Sequence, residues 1–175
     1  MLIRMISSIK KWDKNAYPIL RDDPSFPGDS ITDLKTTRNK LSVWKSSNDE
    51  ETKDAIVAMA LGRNTIDKLW FVYLDEEELA ALGISALADE KGDAPGVVDD
   101  SLLRRHMNLQ HIDYIRLGKL AEYIYKQLET KNYALKTISQ LKELLTEYKE
   151  SGIIDLAPVK DGIKNKMNWN VIIND

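Results

Sequence analysis

Cysteine is absent from this 175-residue chain. Its absence excludes disulfide bonds, cysteine-ligated zinc, iron–sulfur clusters and thiol catalysis. Structural disulfides are typical of oxidising compartments. We therefore expect a cytoplasmic protein of bacterial type.

Long apolar segments are also lacking. The longest apolar run covers residues 69–74, whereas a membrane-spanning helix needs roughly 18 residues. Arg4, Lys10 and Lys11 interrupt the N-terminal segment, and no small-residue cleavage site follows them, which argues against a secretory signal. The sequence therefore predicts no membrane partner.

Recognisable catalytic motifs are missing as well. The eight glycines are scattered, and neither the phosphate-binding loop, nor the dinucleotide-binding pattern, nor the G-x-S-x-G elbow occurs. The chain has two histidines, so a serine hydrolase would have to use His106 or His111. On one helix these would lie about 140° apart, so a shared site requires that residues 104–110 are not helical. We expect no cofactor and no metal ion, and the sequence favours a protein without catalytic activity.

The composition is typical of one folded domain spanning residues 1–175, with 43% hydrophobic and 30% charged residues. Its charge is uneven, because residues 75–100 carry nine acidic residues and one basic residue in a chain of net charge −3. Asp75 is predicted to cap a short helix over residues 76–82, and residues 88–100 form a polar loop. Segregated charge steers and orients a binding partner, so we interpret this acidic segment as a docking surface.

The first half of the chain predicts an irregular arm followed by a strand–helix–strand unit. Residues 13–40 hold three of the five prolines and form the arm. Strands are predicted at residues 41–45 and 68–74, around a helix at residues 49–61. We expect either a βαβ unit with parallel neighbouring strands, or an α+β arrangement in which these strands pair through others. Residues 31–44 hold more specific polar side chains than a strand requires, and we assign no activity to them.

The second half predicts mostly helix. One long helix is expected over residues 101–130 and another over residues 137–150, joined as an antiparallel hairpin, with a further strand at residues 169–173. The predicted fold class is α/β or α+β. It is a small mixed sheet with a βαβ-like unit, covered by two long helices and one shorter helix. Residues 41–100 hold the strand–helix–strand unit and the acidic loop, and residues 101–175 hold the hairpin and the final strand.

The leading functional hypothesis is a small intracellular accessory or regulatory protein that binds a larger protein and has no catalysis of its own. Trp44 would anchor that partner if helices leave its face of the first strand uncovered. The other candidates for partner binding are acidic: Asp75, Glu76, Glu77, Glu78, Asp89, Glu90 and Asp93. The sequence also leaves a homo-oligomer open.

A basic cluster supports a second hypothesis, a small metal-dependent nuclease or other phosphoryl-handling enzyme. Such an enzyme would use Asp75 and nearby carboxylates, with Lys45 or His106. The candidates for phosphate binding are Arg104, Arg105, His106 and His111, since arginine binds phosphate bidentately and histidine titrates near neutrality. A third hypothesis is a winged-helix-like nucleic-acid binder using residues 137–155, but balanced charges there argue against nucleic acid as a partner.

Overall fold

A computed structural model describes residues 1–17, 26–88 and 90–169. A six-stranded sheet lies at its centre, and helices cover both faces. The strands are β1 (Leu2–Ile6), β2 (Leu41–Lys45), β3 (Leu69–Leu74), β4 (Ser85–Leu87), β5 (His106–Gln110) and β6 (Tyr133–Lys136). The helices are α1 (Asp49–Leu61), α2 (Glu76–Ala81), α3 (Asp100–Leu103), α4 (Tyr114–Glu129), α5 (Ile138–Glu150) and α6 (Asp161–Met167). None of the helices in the described part of the chain combines the length and apolar character that crossing a bilayer requires.

The sheet has the strand order β4-β5-β2-β1-β3-β6, and all neighbouring strands are antiparallel. The predicted strands β2 and β3 are confirmed, as is helix α1 between them. They run in the same direction but do not touch, because β1 lies between them and pairs with both. The α+β alternative is therefore confirmed, and direct parallel pairing of β2 with β3 is wrong.

The single helix predicted over residues 101–130 is wrong in its first half. Residue 104 ends the short helix α3, β5 follows, and α4 begins only at Tyr114, where the Asp113 side chain caps it by accepting from the amide of Arg116. His111 adopts a left-handed conformation (φ 63°) in the turn between β5 and α4. Leu109 and Ile112 fit helical spacing, but Met107 and Leu109 also alternate with polar residues, and pairing with β2 selects the strand.

The predicted helical hairpin is also wrong, because β6 lies between α4 and α5 and places them on opposite faces of the sheet. We call the face that packs against α1 and α5 the first face, and the face that packs against α4 the second face. The first core contains Ile3, Leu69 and Phe71 with α1 and α5. The second core joins α4 to side chains of opposite parity on the same strands, such as Leu2 and Val72.

Two further predicted segments are the irregular arm near the N-terminus and the strand near the C-terminus. Within the arm, Lys14–Ala16 and Gly28–Leu34 form short 3-10 helices, and residues 18–25 lie outside the described residues. Near the C-terminus, helix α6 ends at Met167, and the partly buried Trp169 packs against the first core. The strand predicted at residues 169–173 falls almost entirely outside the described residues.

Candidate active site

The first face is apolar over β1 and β3 but polar over β2 and β5. Ser42, Asn108 and His106 interrupt its hydrophobic rows there. Ser42 pairs in register with Asn108, and Trp44 pairs with His106. Side chains directly opposite each other on one face have Cβ atoms roughly 4.5–5.5 Å apart. The strand register therefore brings Ser42 beside both Asn108 and His106.

Ser42 and His106 form a hydrogen-bonded dyad. Ser42 Oγ lies 2.6 Å from His106 Nε2, and His106 Nδ1 lies 3.0 Å from the backbone oxygen of Glu90. A carbonyl oxygen can only accept, so in the neutral ring Nδ1 carries the proton and donates it to Glu90. Nε2 then holds the lone pair, and the Ser42 hydroxyl donates to it. The imidazole is thus oriented to take a proton from Ser42.

Trp44 and Gly92 hold the His106 ring in place. Trp44 packs edge-on against His106, with the ring centroids 5.3 Å apart. The amide of Gly92 donates to Leu103 at 3.0 Å, which fixes the loop that carries the Glu90 carbonyl. A Cβ at position 92 would collide with the Trp44 ring and lie 3.0 Å from His106 Cβ, so only glycine fits there. Helix α1 covers Trp44, which is 6% exposed, so the condition for Trp44 as a partner anchor is not met.

Arg4 fills a split between β1 and β2. These strands pair only through Leu2 and Ile3. Beyond that point the Arg4 guanidinium donates to the backbone oxygens of Ser42 and Asp33, both at 2.7 Å. Arg4 makes no ion pair with a described carboxylate, and its Nε is buried without an acceptor. Burial lowers the pKa of Arg4 to about 10, which the negative charge of Asp33 only partly offsets. Arg4 is therefore a poorly compensated cation directly behind Ser42.

Two adjoining hollows meet at Ser42. The dyad hollow, about 320 Å³, is lined by Arg4, Ser42, Trp44, Met59, Arg63, Glu90, Lys91, Asp93 and His106 among others. The basic hollow, about 310 Å³, is lined by Arg4, Lys35, Thr37, Arg38, Lys40, Leu41, Ser42, Glu90 and Asn108. Ser42 is exposed and lines both hollows.

The four candidates for phosphate binding do not form one cluster. Of these, only His106 lies in the dyad hollow. Arg105 pairs with Glu51 at 2.6 Å and Asp54 at 3.3 Å, which ties β5 to α1. Arg104 is exposed on a different hollow, and His111 is exposed in the turn after β5. The single phosphate site predicted from these residues is therefore not assembled.

The acidic segment does not form one continuous surface either. Leu79 of α2 packs into the second core, so Glu76, Glu77 and Glu78 lie on that side of the sheet. Glu90 and Asp93 line the dyad hollow on the first face. Asp89 lies outside the described residues.

Asp75, the proposed metal ligand, is engaged in capping. Its Oδ1 accepts from the amides of Glu77 and Glu78 at 2.8 and 3.1 Å. Lys45, its suggested neighbour, lies two strands away, because both Lys45 and Leu74 pair with Leu2 of β1. Nowhere in residues 1–17, 26–88 and 90–169 do three histidine or carboxylate side chains gather as a metal site would require.

The polar segment at residues 31–44 was the sequence signal for this site, although the pairing of Ser42 with His106 was not predicted. Residues 31–44, singled out for their polar side chains, supply most of the basic hollow, the Asp33 carbonyl that binds Arg4, and Ser42 itself.

Comparison with known proteins finds no matching family model, no matching curated protein and no matching solved structure. Function is therefore inferred from the chemistry of the Ser42–His106 dyad and of the two hollows that meet at Ser42.

Proposed function

We propose that the protein is a hydrolase of small esters in which Ser42 is the nucleophile and His106 the general base. One observation carries the proposal: Ser42 Oγ lies 2.6 Å from His106 Nε2, while Nδ1 is held by the Glu90 carbonyl at 3.0 Å. A nucleophile bonded to a base, which is in turn oriented by a third group, is the arrangement that activates serine on unrelated folds. Here a backbone carbonyl takes the orienting role that a carboxylate more often has.

The reaction has two steps, acylation of Ser42 and hydrolysis of the acyl-serine. Ser42 Oγ attacks the carbonyl carbon of the ester as its proton moves to His106 Nε2. The tetrahedral intermediate then collapses, the alcohol leaves with the proton returned by His106, and an acyl-serine remains. Water, deprotonated by the same nitrogen, hydrolyses the acyl-serine and restores the Ser42 hydroxyl.

The surroundings of Ser42 suit the charge that develops in this reaction. Asn108 lies in register opposite Ser42 and lines the basic hollow, so its carboxamide is the candidate donor to the oxyanion. The half-buried Arg4 guanidinium donates to the backbone oxygen of Ser42. Positive charge in a partly desolvated site favours a negatively charged intermediate.

Labelling with a fluorophosphonate probe tests the proposal, because this reagent reacts with activated serine hydroxyls. We expect mass spectrometry of the labelled protein to find the adduct on Ser42. S42A should lose the label, whereas S47A, which removes an exposed serine on the turn before α1, should keep it. An intact, folded protein that takes no label, or S42A protein that labels as fast as wild type, would overturn the proposal.

A second candidate function is the accessory role, in which α2 docks a larger protein. The observation that favours it is the charge of Glu77 and Glu78. Both are exposed, and neither makes an ion pair with a basic side chain among the described residues. An uncompensated acidic strip suits a cationic partner surface.

Charge reversal on α2 tests the docking role. The triple variant E76K/E77K/E78K should lose the proteins that co-purify with wild type from the native cell. Reversal of two exposed glutamates on α5, E143K/E150K, should leave them bound. The same set of partners with the α2 triple variant would count against an accessory role.

A further inference from the structure

The basic hollow is strongly cationic. Its lining holds four cations, Arg4, Lys35, Arg38 and Lys40, and one carboxylate, Glu90, for a net charge of +3. Lys40 and Glu90 pair at 3.2 Å, so the excess belongs to the other three. The whole chain has a net charge of −3, so this concentration runs against the protein's average. Clefts lined by one sign of charge concentrate ligands of the opposite sign.

Arg38 occupies a strained backbone position at the rim of this hollow. Thr37 and Lys40 exchange two backbone hydrogen bonds of 3.0 Å, and the two residues between them, Arg38 and Asn39, have φ values of 54° and 59°. Such two-residue turns prefer glycine and asparagine, because a left-handed conformation crowds the Cβ of other residues. Asn39 suits its position, whereas Arg38 does not. A long cationic side chain in a position that favours glycine is consistent with selection for the side chain itself.

Arg4 provides an independent observation at the inner end of the same hollow. Its guanidinium is bonded to two backbone carbonyls and to no described carboxylate, and its Nε has no acceptor. Desolvation destabilises a half-buried cation whose charge a neighbouring carboxylate, here Asp33, offsets only in part. An anion bound in the hollow would add to the partial compensation that Asp33 provides, so anion binding should stabilise the site.

We infer that the basic hollow binds a phosphate dianion, which identifies the substrate as a small ester bearing a phosphate group next to the bond that Ser42 attacks. A net charge of +3 matches a dianion better than a single carboxylate. Arginine and lysine are the side chains that bind phosphate most often, arginine through paired donors. The substrate assignment rests on the proposed function of Ser42, whereas the binding of phosphate does not.

Titration of inorganic phosphate into the full-length protein, followed by calorimetry, tests the inference with a matched pair of turn variants. R38G removes a cation and relieves the strain, so we expect phosphate affinity to fall at least tenfold while the melting temperature rises. N39G relieves strain in the same turn without changing charge, and it should bind phosphate as wild type does. K35A, which leaves the turn unaltered, should also weaken binding.

Acetate serves as the comparison anion in the same titration, and it should bind at least tenfold more weakly than phosphate. Equal affinity for phosphate in R38G, K35A and wild type, or equal affinity of wild type for both anions, would overturn the inference. Phosphate binding that depends on Arg38 in a protein whose Ser42 takes no fluorophosphonate would leave this site standing and remove the hydrolase proposal. Labelling of Ser42 with no measurable phosphate binding would do the reverse.

Discussion

The two halves of the first face do different things with the same backbone geometry. Over β1 and β3, Ile3, Leu69 and Phe71 alternate inward and are at most 1% exposed beneath α1 and α5. Over β2 and β5, the same register places Ser42, Asn108 and His106 on this face, with Trp44 at the boundary. The half over β1 and β3 is a packed core. The half over β2 and β5 has hydrogen bonds and open hollows in place of apolar packing. We therefore expect substitutions to affect stability in the first half and chemistry in the second.

The largest effect on stability is expected at Phe71, in the apolar half. Phe71→Ala leaves a cavity beneath α1, and substitutions of this kind cost about 3–5 kcal/mol of unfolding free energy. Ser42→Ala, on the same face in the polar half, should change it by less than about 1 kcal/mol, because Ser42 is an exposed residue. Urea denaturation measures both. A Ser42→Ala variant that lost as much stability as Phe71→Ala would show that both halves are structural.

The largest effect on chemistry is expected at His106. Gln can still accept a hydrogen bond from Ser42 but cannot act as a base at neutral pH. In His106→Gln the rate of fluorophosphonate labelling should fall by roughly 10²–10⁴-fold, the usual contribution of a general base. Labelling at the wild-type rate in His106→Gln would contradict the role of the dyad.

Alanine substitutions at Gly92 and Gly118 are expected to have smaller effects on stability, and these effects are opposite in sign. Ala at position 92 would press on Trp44 and His106, so Gly92→Ala should cost about 1–3 kcal/mol and slow Ser42 labelling. Gly118 lies in α4, and a Cβ added there would meet no atom within 4 Å beyond its own stretch of helix. Gly118→Ala should therefore stabilise the protein by roughly 0.5–1 kcal/mol through helix propensity. Thermal denaturation compares the two, and a tolerated Gly92→Ala with unchanged labelling would show that the loop does not hold His106.

The smallest effect concerns the ion pair that ties β5 to α1. A hydrogen bond from Arg105 is the largest of the causes that lower the pKa of Glu51. A carboxylate with a lowered pKa in the folded state contributes stability above its unfolded pKa, and this contribution is lost as pH falls through the folded value. Glu51→Gln should therefore unfold at lower urea concentration than wild type at pH 7, and the two should converge at a pH below the folded pKa of Glu51. The exposed Glu143→Gln is the control, and a Glu51→Gln deficit of equal size at both pH values would contradict the pairing.

Local patterns predicted the elements whose neighbours are close in sequence. Alternation predicted β2, helical spacing predicted α1, and Asp75 was correctly predicted to cap α2. The helical spacing of Leu109 and Ile112 concealed β5, which depends on pairing with a strand more than 60 residues earlier. Ser42 and His106 are 64 residues apart. Their meeting depends on the order β5-β2-β1, which no local preference encodes, so the sequence offered only the polar character of residues 31–44.

The tautomer of His106 tests the dyad most directly. The chain has two histidines, so a long-range proton–nitrogen correlation spectrum of uniformly ¹⁵N-labelled protein, recorded where both rings are neutral, resolves two imidazoles. His111, exposed in its turn, is the internal reference. We predict that His106 carries its proton on Nδ1, donated to the Glu90 carbonyl, and that Nε2 shows the chemical shift of an unprotonated acceptor. A His106 ring protonated on Nε2 would leave Ser42 without a base and would contradict the account.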